Sequence, residues 1–457
     1  LFYEQLRYGK NGKIFRLYKF RSMCIGADEI LKEYSTPSKI ENSFEYTTLA
    51  NNMKIKLLGL DGNNIRIYNI MLNYLYQTSR HFVNDERKIL LAKNSLNQSG
   101  LWKFGISGDR PIILVDIHSG KAFRLAKDAI RAFEYFKSMG IYIDLVIINS
   151  ETEEYKRIIK KEVEQEIYRM NKLFDFGYTP GSVHLLDASD LENSELVLLN
   201  MVARLVFNSS NNSSLEEMVN KMHLENKMVA FPDIIREDVT DFKVDTTKIA
   251  SFNGYGGFIK GGKEYIITNQ DTPTPWSNVI ANKNFGTILT NNSCGFTYSY
   301  NSQMFKLTSW TNDIVVNDKS EGILVNEKEV QVSICRHGFG YSTFEQDGKD
   351  YNLTTTQFVA KEDSAKFYQN KITNISNTKQ KYKLTFWINP TLGPNEEKSS
   401  RYLLSEYHKE LNAIVIRNVY NMNFSGVSVF MSSTLPIVDY SIDRIITKSI
   451  TVEVELD

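Results

Sequence analysis

From residue 240 to the C-terminus the sequence signal is almost wholly β: apolar and polar residues alternate with a period of two in several segments, punctuated by Gly, Asn and Pro. The alternation is plainest in KYKLTFWIN (381–389) and TVEVELD (451–457), while LNAIVIRNVY (411–420) reads as an apolar strand ending in polar turns. Many short strands with turn residues between them predict a large antiparallel sandwich.

Within this half, residues 252–313 concentrate glycines and two of the four tryptophans. The pairs Gly256-Gly257 and Gly261-Gly262 are expected to supply positive-φ turns in a meander. Pro273 and Pro275 remove two ladder donors, which places Trp276 at an edge or in a loop. A Trp held there beside Asn278 and Asn282 suits a sugar platform; the alternative is a Trp anchoring the sandwich core.

The other half has a different texture. Residues 1–34 read as two short strands across a Gly-Lys-Asn-Gly turn, then a helix from about Ala27. Lys13, Arg16, Lys19 and Arg21 are interleaved with aromatics, either a patch for phosphate groups or a solvated strand face. Residues 43–97 are helical, with Ile65, Ile67, Ile70, Met71, Leu75 and Phe82 at helical spacing and His81 near a helix end. Residues 98–235 alternate strands (IILVDI, IDLVIIN, VHLLD) with helices over 123–139 and 154–173, which predicts a small parallel α/β layer. The GISGD string ahead of the first strand lacks GxGxxG and Walker spacing and precedes its strand, so it is not read as a dinucleotide or phosphate loop. Asp109, His118 and Asp144 tempt one to draw a catalytic cluster, but nothing in the sequence brings them together. NSSNNSS (208–214) is a polar loop.

Lys+Arg and Asp+Glu each total 54, so no net field draws the chain to nucleic acid or acidic membranes. The three cysteines, Cys24, Cys294 and Cys335, have no CxxC spacing, which argues against a disulfide framework or a zinc site. No metal and no cofactor is expected. No apolar run has the length of a membrane span, and the first residues do not read as a signal peptide; the expected location is cytoplasmic, or membrane-associated through a larger parent protein. The chain starts at Leu1 and reads as a fragment.

The segments NGYGGF (253–258), EYIIT (264–268), TPTPWSNVIAN (272–282), LTSWTND (307–313) and RHGFGYSTF (336–344) together resemble the β-sandwich of glycoside hydrolase family 94, nearest to the C-terminal part of cyclic β-1,2-glucan synthases, relatives of cellobiose and chitobiose phosphorylases. LWKFGISGDRPIILV (101–115) is similar to the string that precedes the sandwich in the synthases. The resemblance implies an α+β multidomain chain: a large antiparallel super-sandwich of galactose mutarotase type over 240–457, preceded by the helical (43–97) and α/β (98–235) regions, with the family's catalytic (α/α)6 barrel absent. Separately, QLRYGKNGKIFRLYKFRSM (5–23) resembles the start of bacterial polyprenyl-phosphate sugar transferases. Their Asp-Glu catalytic segment has no counterpart here, since Asp28-Glu29 begins a helix, so residues 1–34 read as a remnant.

In the family an Asp of the barrel protonates the leaving oxygen while phosphate or an acceptor hydroxyl attacks with inversion, so no catalytic residue is expected in this chain. The reading is a carbohydrate-binding or barrel-supporting part of a glucan synthase-like or phosphorylase-like glycosyltransferase. Its partners would be a β-glucan or oligosaccharide and a separate (α/α)6 barrel chain. The alternatives are an active β-glucan phosphorylase or transglycosylase, and a polyprenyl-phosphate sugar phosphotransferase fragment. The candidate substrate contacts are Trp276, Asn278, Asn301, Trp310, Asn312, Asp313, Arg336 and His337. The family usually shows NSR and RLTPWSND where this chain has Asn301-Ser302-Gln303 and Lys306 to Asp313, which removes bidentate donors that grip a sugar. Arg336-His337 reads equally as a cluster facing substrate and as a strand-end salt bridge.

Overall fold

The structure is a computed structural model that describes residues 2–8, 14–20, 37–76, 85–118, 123–150, 158–173, 180–209, 213–225, 236–237, 244–313, 319–442 and 447–457. The turn at 9–12, the helix expected from Ala27, Cys24, His81 and Phe82 lie outside them. The chain divides into two compact units, Leu1–Tyr68 with Arg131–Ile141, and Asn69–Ile130 with Tyr142–Asp457.

The expected N-terminal hairpin is present: β1 (Phe2–Tyr8) and β2 (Ile14–Phe20) are antiparallel, with Phe2 opposite Phe20. Three helices follow, α1 (Pro37–Leu57), α2 (Gly62–Tyr76) and α3 (Asp85–Lys93). Asp61 starts α2 by accepting from the Asn64 backbone N–H at 2.8 Å, and the helical spacing of Ile67, Met71 and Leu75 buries all three.

Next comes a parallel sheet. Its elements are β3 (Ile112–Ile117), α4 (Phe123–Ser138), β4 (Asp144–Asn149), α5 (Ile158–Leu173), β5 (Val183–Asp187), α6 (Asn193–Val202), β6 (Leu205–Asn208) and α7 (Leu215–Glu225). The strand order is β5-β4-β3-β6, every pair parallel. The strand β6 has four residues, too few for a period to register in the sequence, yet Leu205 and Phe207 are buried.

The GISGD string is a packing turn. A 3-10 turn, Gln98–Phe104, is capped by the Asn97 side chain and ends at Gly105 with φ 73°. Gly108 follows at φ 77°, where a Cβ would lie 2.7 Å from the Tyr420 hydroxyl and 2.9 Å from Leu101. Leu101 and Ile106 thereby enter one core with Ile112 and Val146 of the parallel sheet and with Tyr402 and Tyr420 of the C-terminal half. The glycines serve a positive backbone angle and a close approach, which leaves no phosphate cradle to explain.

The remaining strands are β7 (Arg236–Glu237), β8 (Gly256–Ile259), β9 (Glu264–Ile267), β10 (Ser277–Ala281), β11 (Phe285–Thr290), β12 (Gly295–Ser299), β13 (Lys306–Thr308), β14 (Glu321–Val325), β15 (Glu329–Val330), β16 (Ile334–Gly338), β17 (Tyr341–Asp347), β18 (Tyr351–Val359), β19 (Lys366–Asn374), β20 (Gln380–Ile388), β21 (Pro390–Gly393), β22 (Leu404–His408), β23 (Ala413–Arg417), β24 (Ser428–Ser432), β25 (Asp439–Ser441) and β26 (Lys448–Leu456). They build sheets ordered β10-β11-β12-β13-β21, β19-β18-β17-β16-β9-β8, β14-β20-β26-β25 and β22-β23-β24, with β15 pairing β7. All pairs except β15 with β7 are antiparallel, as the alternation requires.

Apolar side chains fill the spaces between sheets: Ile267, Leu289 and Phe344 in one, Val325, Leu353 and Leu384 in a second, Phe305, Ile414 and Ile450 in a third. Where three sheets meet, Lys366 of β19 forms a buried ion pair with Glu321 of β14 and donates to Thr287 Oγ1 of β11 at 3.1 Å. Thr297 of β12 donates to Glu321 Oε2 at 3.1 Å.

One expectation fails. Gly261 and Gly262 do sit at positive φ, 67° and 87°, but Gly256 and Gly257 are strand residues. Added Cβ atoms would lie 2.2 Å from the Ile266 carbonyl oxygen and 2.6 Å from that of Ala250. These glycines permit close backbone approach, and the turn before them belongs to Asn253 and Gly254, whose φ is 95°. The Asn253 side chain accepts from the backbone N–H groups of Tyr255 and Gly256.

Candidate functional site

Trp276 lies just ahead of β10, the edge strand of its sheet, as Pro273 and Pro275 dictate. It is half-buried at the mouth of the core between two sheets, with its ring edge-on to Tyr255 and Tyr265, each 5.8 Å away. Its backbone N–H donates to Asn291 Oδ1 at 3.0 Å, and its carbonyl accepts from His337 Nε2 at 3.2 Å. A carbonyl only accepts, so Nε2 carries the proton and Nδ1 accepts from Ser342 Oγ at 2.8 Å. Burial holds the His337 pKa below its usual value, with the Trp276 carbonyl acting against that shift.

Asn278 completes this network. Its Nδ2 reaches the carbonyls of Gly338 (2.9 Å) and Tyr341 (3.0 Å) and Ser342 Oγ (3.2 Å), fastening the β16–β17 hairpin to β10. Trp276, Asn278 and His337 are thus brought together, with Asn278 Nδ2, both His337 ring nitrogens and the Trp276 backbone groups engaged in hydrogen bonds within the fold. Arg336, the next residue along β16, points to the opposite face and pairs with Glu345. Beside it, burial pushes the Glu264 carboxyl up, and hydrogen bonds from Lys260 and Tyr341 outweigh this and hold it below the usual carboxylate range.

The second group of candidates lies across the five-stranded sheet. Thr297 points inward to Glu321, so its neighbours Phe296 and Tyr298 project from the outer face. Trp310, past the end of β13, stacks on Phe296 with ring centroids 5.4 Å apart and planes at 22°. Phe296 is 4% exposed, whereas Trp310 is half-buried. One indole face therefore covers Phe296 while the side chain as a whole stays partly exposed. Tyr298 extends the aromatic surface, 5.8 Å from Phe296 and lying over Gly286, where any Cβ would fall 2.5 Å from its hydroxyl. Asn312, at φ 60°, and Asp313 follow, both exposed. Lys306 stands opposite Tyr298 and donates to the Pro394 carbonyl at 2.8 Å; burial lowers its pKa. Asn301 is exposed, its Oδ1 accepting from the backbone N–H groups of Gln303 and Met304 at 2.9 Å, so it is a turn-former.

Sequence reasoning missed Phe296, Tyr298 and Gly286. The only signal was the alternation of aromatic residues with Gly and Thr across two neighbouring strands.

Among the described residues no group of three or more His, Cys, Asp or Glu could hold a metal ion. A cavity of about 20 Å³ among Lys319, Gln346, Gln357 and Tyr368 has room for about one water, too little for a sugar ring. Asp109, His118 and Asp144 do not meet: His118 lies past the carboxyl end of β3, Asp144 opens β4 at the opposite edge, and Asp109 accepts from Gln98.

Residues 263–445 match the family model of the glycosyl hydrolase 94 supersandwich domain. The chain carries a family 94 β-sandwich region. Over 450 residues, 92% of its length, it is 26% identical to the cyclic beta-(1,2)-glucan synthase NdvB of Rhizobium meliloti. Over 140 residues, 27% of its length, it is 28% identical to the N,N'-diacetylchitobiose phosphorylase of Vibrio furnissii. These stretches span 16% and 17% of those two proteins. The match to the synthase extends well beyond the family 94 region, so the helical and parallel α/β parts belong to the likeness as well. No helix among the described residues is long and apolar enough to cross a membrane.

Proposed function

We propose that the family 94 region is a carbohydrate-binding and supporting sandwich of galactose mutarotase type, part of a glycosyltransferase like the glucan synthases or glycoside phosphorylases. The general acid would come from an (α/α)6 barrel outside this sequence. The observation that carries the reading is the stacked Trp310–Phe296 pair on the outer face of the five-stranded sheet. An indole backed by a buried ring is fixed in orientation before a ligand arrives, so stacking on a sugar ring costs little side-chain entropy. Tyr298 beside Phe296 and the exposed Asn312 after Trp310 are the candidate partners for a stacked sugar's hydroxyls. Trp276 is assigned to the fold instead, because its ring packs edge-on against Tyr255 and Tyr265 beside the core between two sheets.

Titration of the chain with sophorose, followed by intrinsic Trp fluorescence, tests this. A saturable change lost in Trp310→Ala and kept in Trp276→Phe is expected. An unchanged signal at saturating sugar, or equal binding by Trp310→Ala, rejects the platform. Glucose 1-phosphate formed from β-1,2-glucan and phosphate by the chain alone would reject the supporting role in favour of an active phosphorylase.

A further inference from the structure

The helix α1 carries large apolar side chains on its outside. Tyr46, Leu49, Met53 and Leu57 are 75%, 62%, 66% and 86% exposed. At 3.6 residues per turn their spacing places them within an arc of about 80° along the helix. The covered side is the opposite one: Asn51, Lys54 and Ile55 are half-buried, and Lys54 Nζ donates to the Ser138 carbonyl at 2.8 Å.

The first half of α1 also needs support. Every residue from Glu41 to Leu49 is exposed, so packing within the chain stabilises this stretch little. Its composition does not compensate. Thr47 and Thr48 are poor helix formers, and their hydroxyls turn back onto the Ser43 and Phe44 carbonyls at 2.7 and 2.8 Å. Short helices are marginal in water unless an apolar face is packed, and here the unpacked face is the apolar one.

The charges beside the stripe select what covers it. Glu41, Glu45 and Lys56 are exposed along one flank, acidic toward the start of the helix and basic in its last turn. Two copies of α1 related by a two-fold axis across the helices run antiparallel, and the same flank of each then meets. With Tyr46 beside Met53 of the second copy, Lys56 of one copy comes level with the gap between Glu41 and Glu45 of the other, about 3 Å along the axis from each. The symmetry makes this arrangement twice. Parallel pairing would set the flank against Ser43 and Thr47 and leave the charges unpaired. Basic and acidic residues number 54 each, so no net repulsion opposes self-association. An anionic membrane, by contrast, would meet Glu41 and Glu45 beside the stripe.

We propose that α1 is a self-association surface: a second copy of this chain lays its own α1 antiparallel across Tyr46, Leu49, Met53 and Leu57, with Lys56 of each copy paired to Glu41 and Glu45 of the other. The seam is one helix long, about 31 Å, which places it among the smaller interfaces and makes the dimer reversible. It is independent of the Trp310 platform. Sedimentation velocity of the intact chain from nanomolar to high micromolar concentration tests it. A monomer–dimer equilibrium is expected, kept in Trp310→Ala and lost in Met53→Glu, whose circular dichroism should match that of the native monomer because the side chain is exposed. Glu41→Lys with Glu45→Lys should weaken the dimer about tenfold, Lys56→Glu likewise, and the three changes together should restore it. The proposal is overturned if the chain stays monomeric throughout, if Met53→Glu dimerises as the native chain does, or if the three changes together associate no better than either set alone. Flotation with phosphatidylserine-containing vesicles that carries the native chain and not Met53→Glu would assign the stripe to a membrane and overturn it too.

Discussion

The parallel sheet and the β-sandwich solve the placement of polar groups in opposite ways. In β3 and β4 the strand interiors are apolar and the charged side chains are pushed toward the two edges, because a sheet covered on both faces offers them no other exit. In the sandwich a lysine and a glutamate sit inside, their side chains 5% and 4% exposed, where three sheets meet. At the carboxyl edge the His118 side chain stays 41% exposed. Interior groups are spent on holding sheets together.

The sharpest way to break this comparison is to remove one half of the interior pair. Lys366→Met leaves Glu321 buried without its partner and should destabilise the chain by about 3–5 kcal/mol in chemical denaturation. The double change with Glu321→Leu should recover most of that loss. A Lys366→Met effect under about 1 kcal/mol would mean the junction is wet and behaves like an edge.

Gly108 tests the packing turn that joins the two regions. Gly108→Ala must adopt φ 77° and crowd the Tyr420 hydroxyl, so a loss of about 2 kcal/mol is expected. The Tyr420 hydroxyl has no hydrogen-bond partner, so Tyr420→Phe alone should be near neutral and should soften Gly108→Ala when combined with it. Additive effects would show that the contact is not the constraint.

A smaller effect is expected for Asn278→Ala, which frees the β16–β17 hairpin at a cost of about 1 kcal/mol. Hydrogen exchange should quicken at residues 338–342 and stay unchanged in the parallel sheet.

The least effect is that of pH through His337. Its folded pKa lies below the ordinary 6.5 because burial penalises the imidazolium, so below 6.5 the unfolded chain binds more protons than the folded one. This contribution is fully present above pH 6.5 and is lost as pH falls toward the folded value. His337→Gln should flatten the acid limb of stability against pH, leaving the slope from His184, which burial shifts the same way. An unchanged limb would place His337 in water.

Much of the architecture was legible in the residues. Period-two alternation gave the antiparallel half because a strand shows its faces alternately, and KYKLTFWIN and TVEVELD pair with each other as β20 and β26. The strands of the parallel sheet were legible as apolar runs, except β6, whose four residues are too few to carry a pattern. Trp276 was correctly placed at an edge by its prolines. The role of Gly256 and Gly257 was misread, because a glycine needed for a turn and one needed for close approach look alike until the neighbouring backbone is in place.

The sequence by itself determined the sandwich, its family and the alternation of strands and helices before it, since these follow from local periodicity and from motifs contiguous along the chain. Only the tertiary structure decided which candidates meet. Asn278 and His337, 59 positions apart, join through Ser342 and lose their freedom to bind, while Trp310 gains a backing ring from Phe296 and stays half-buried. Whether a polar or aromatic side chain is available depends on what already touches it. Those contacts come from strands distant in sequence, so no local pattern encodes them.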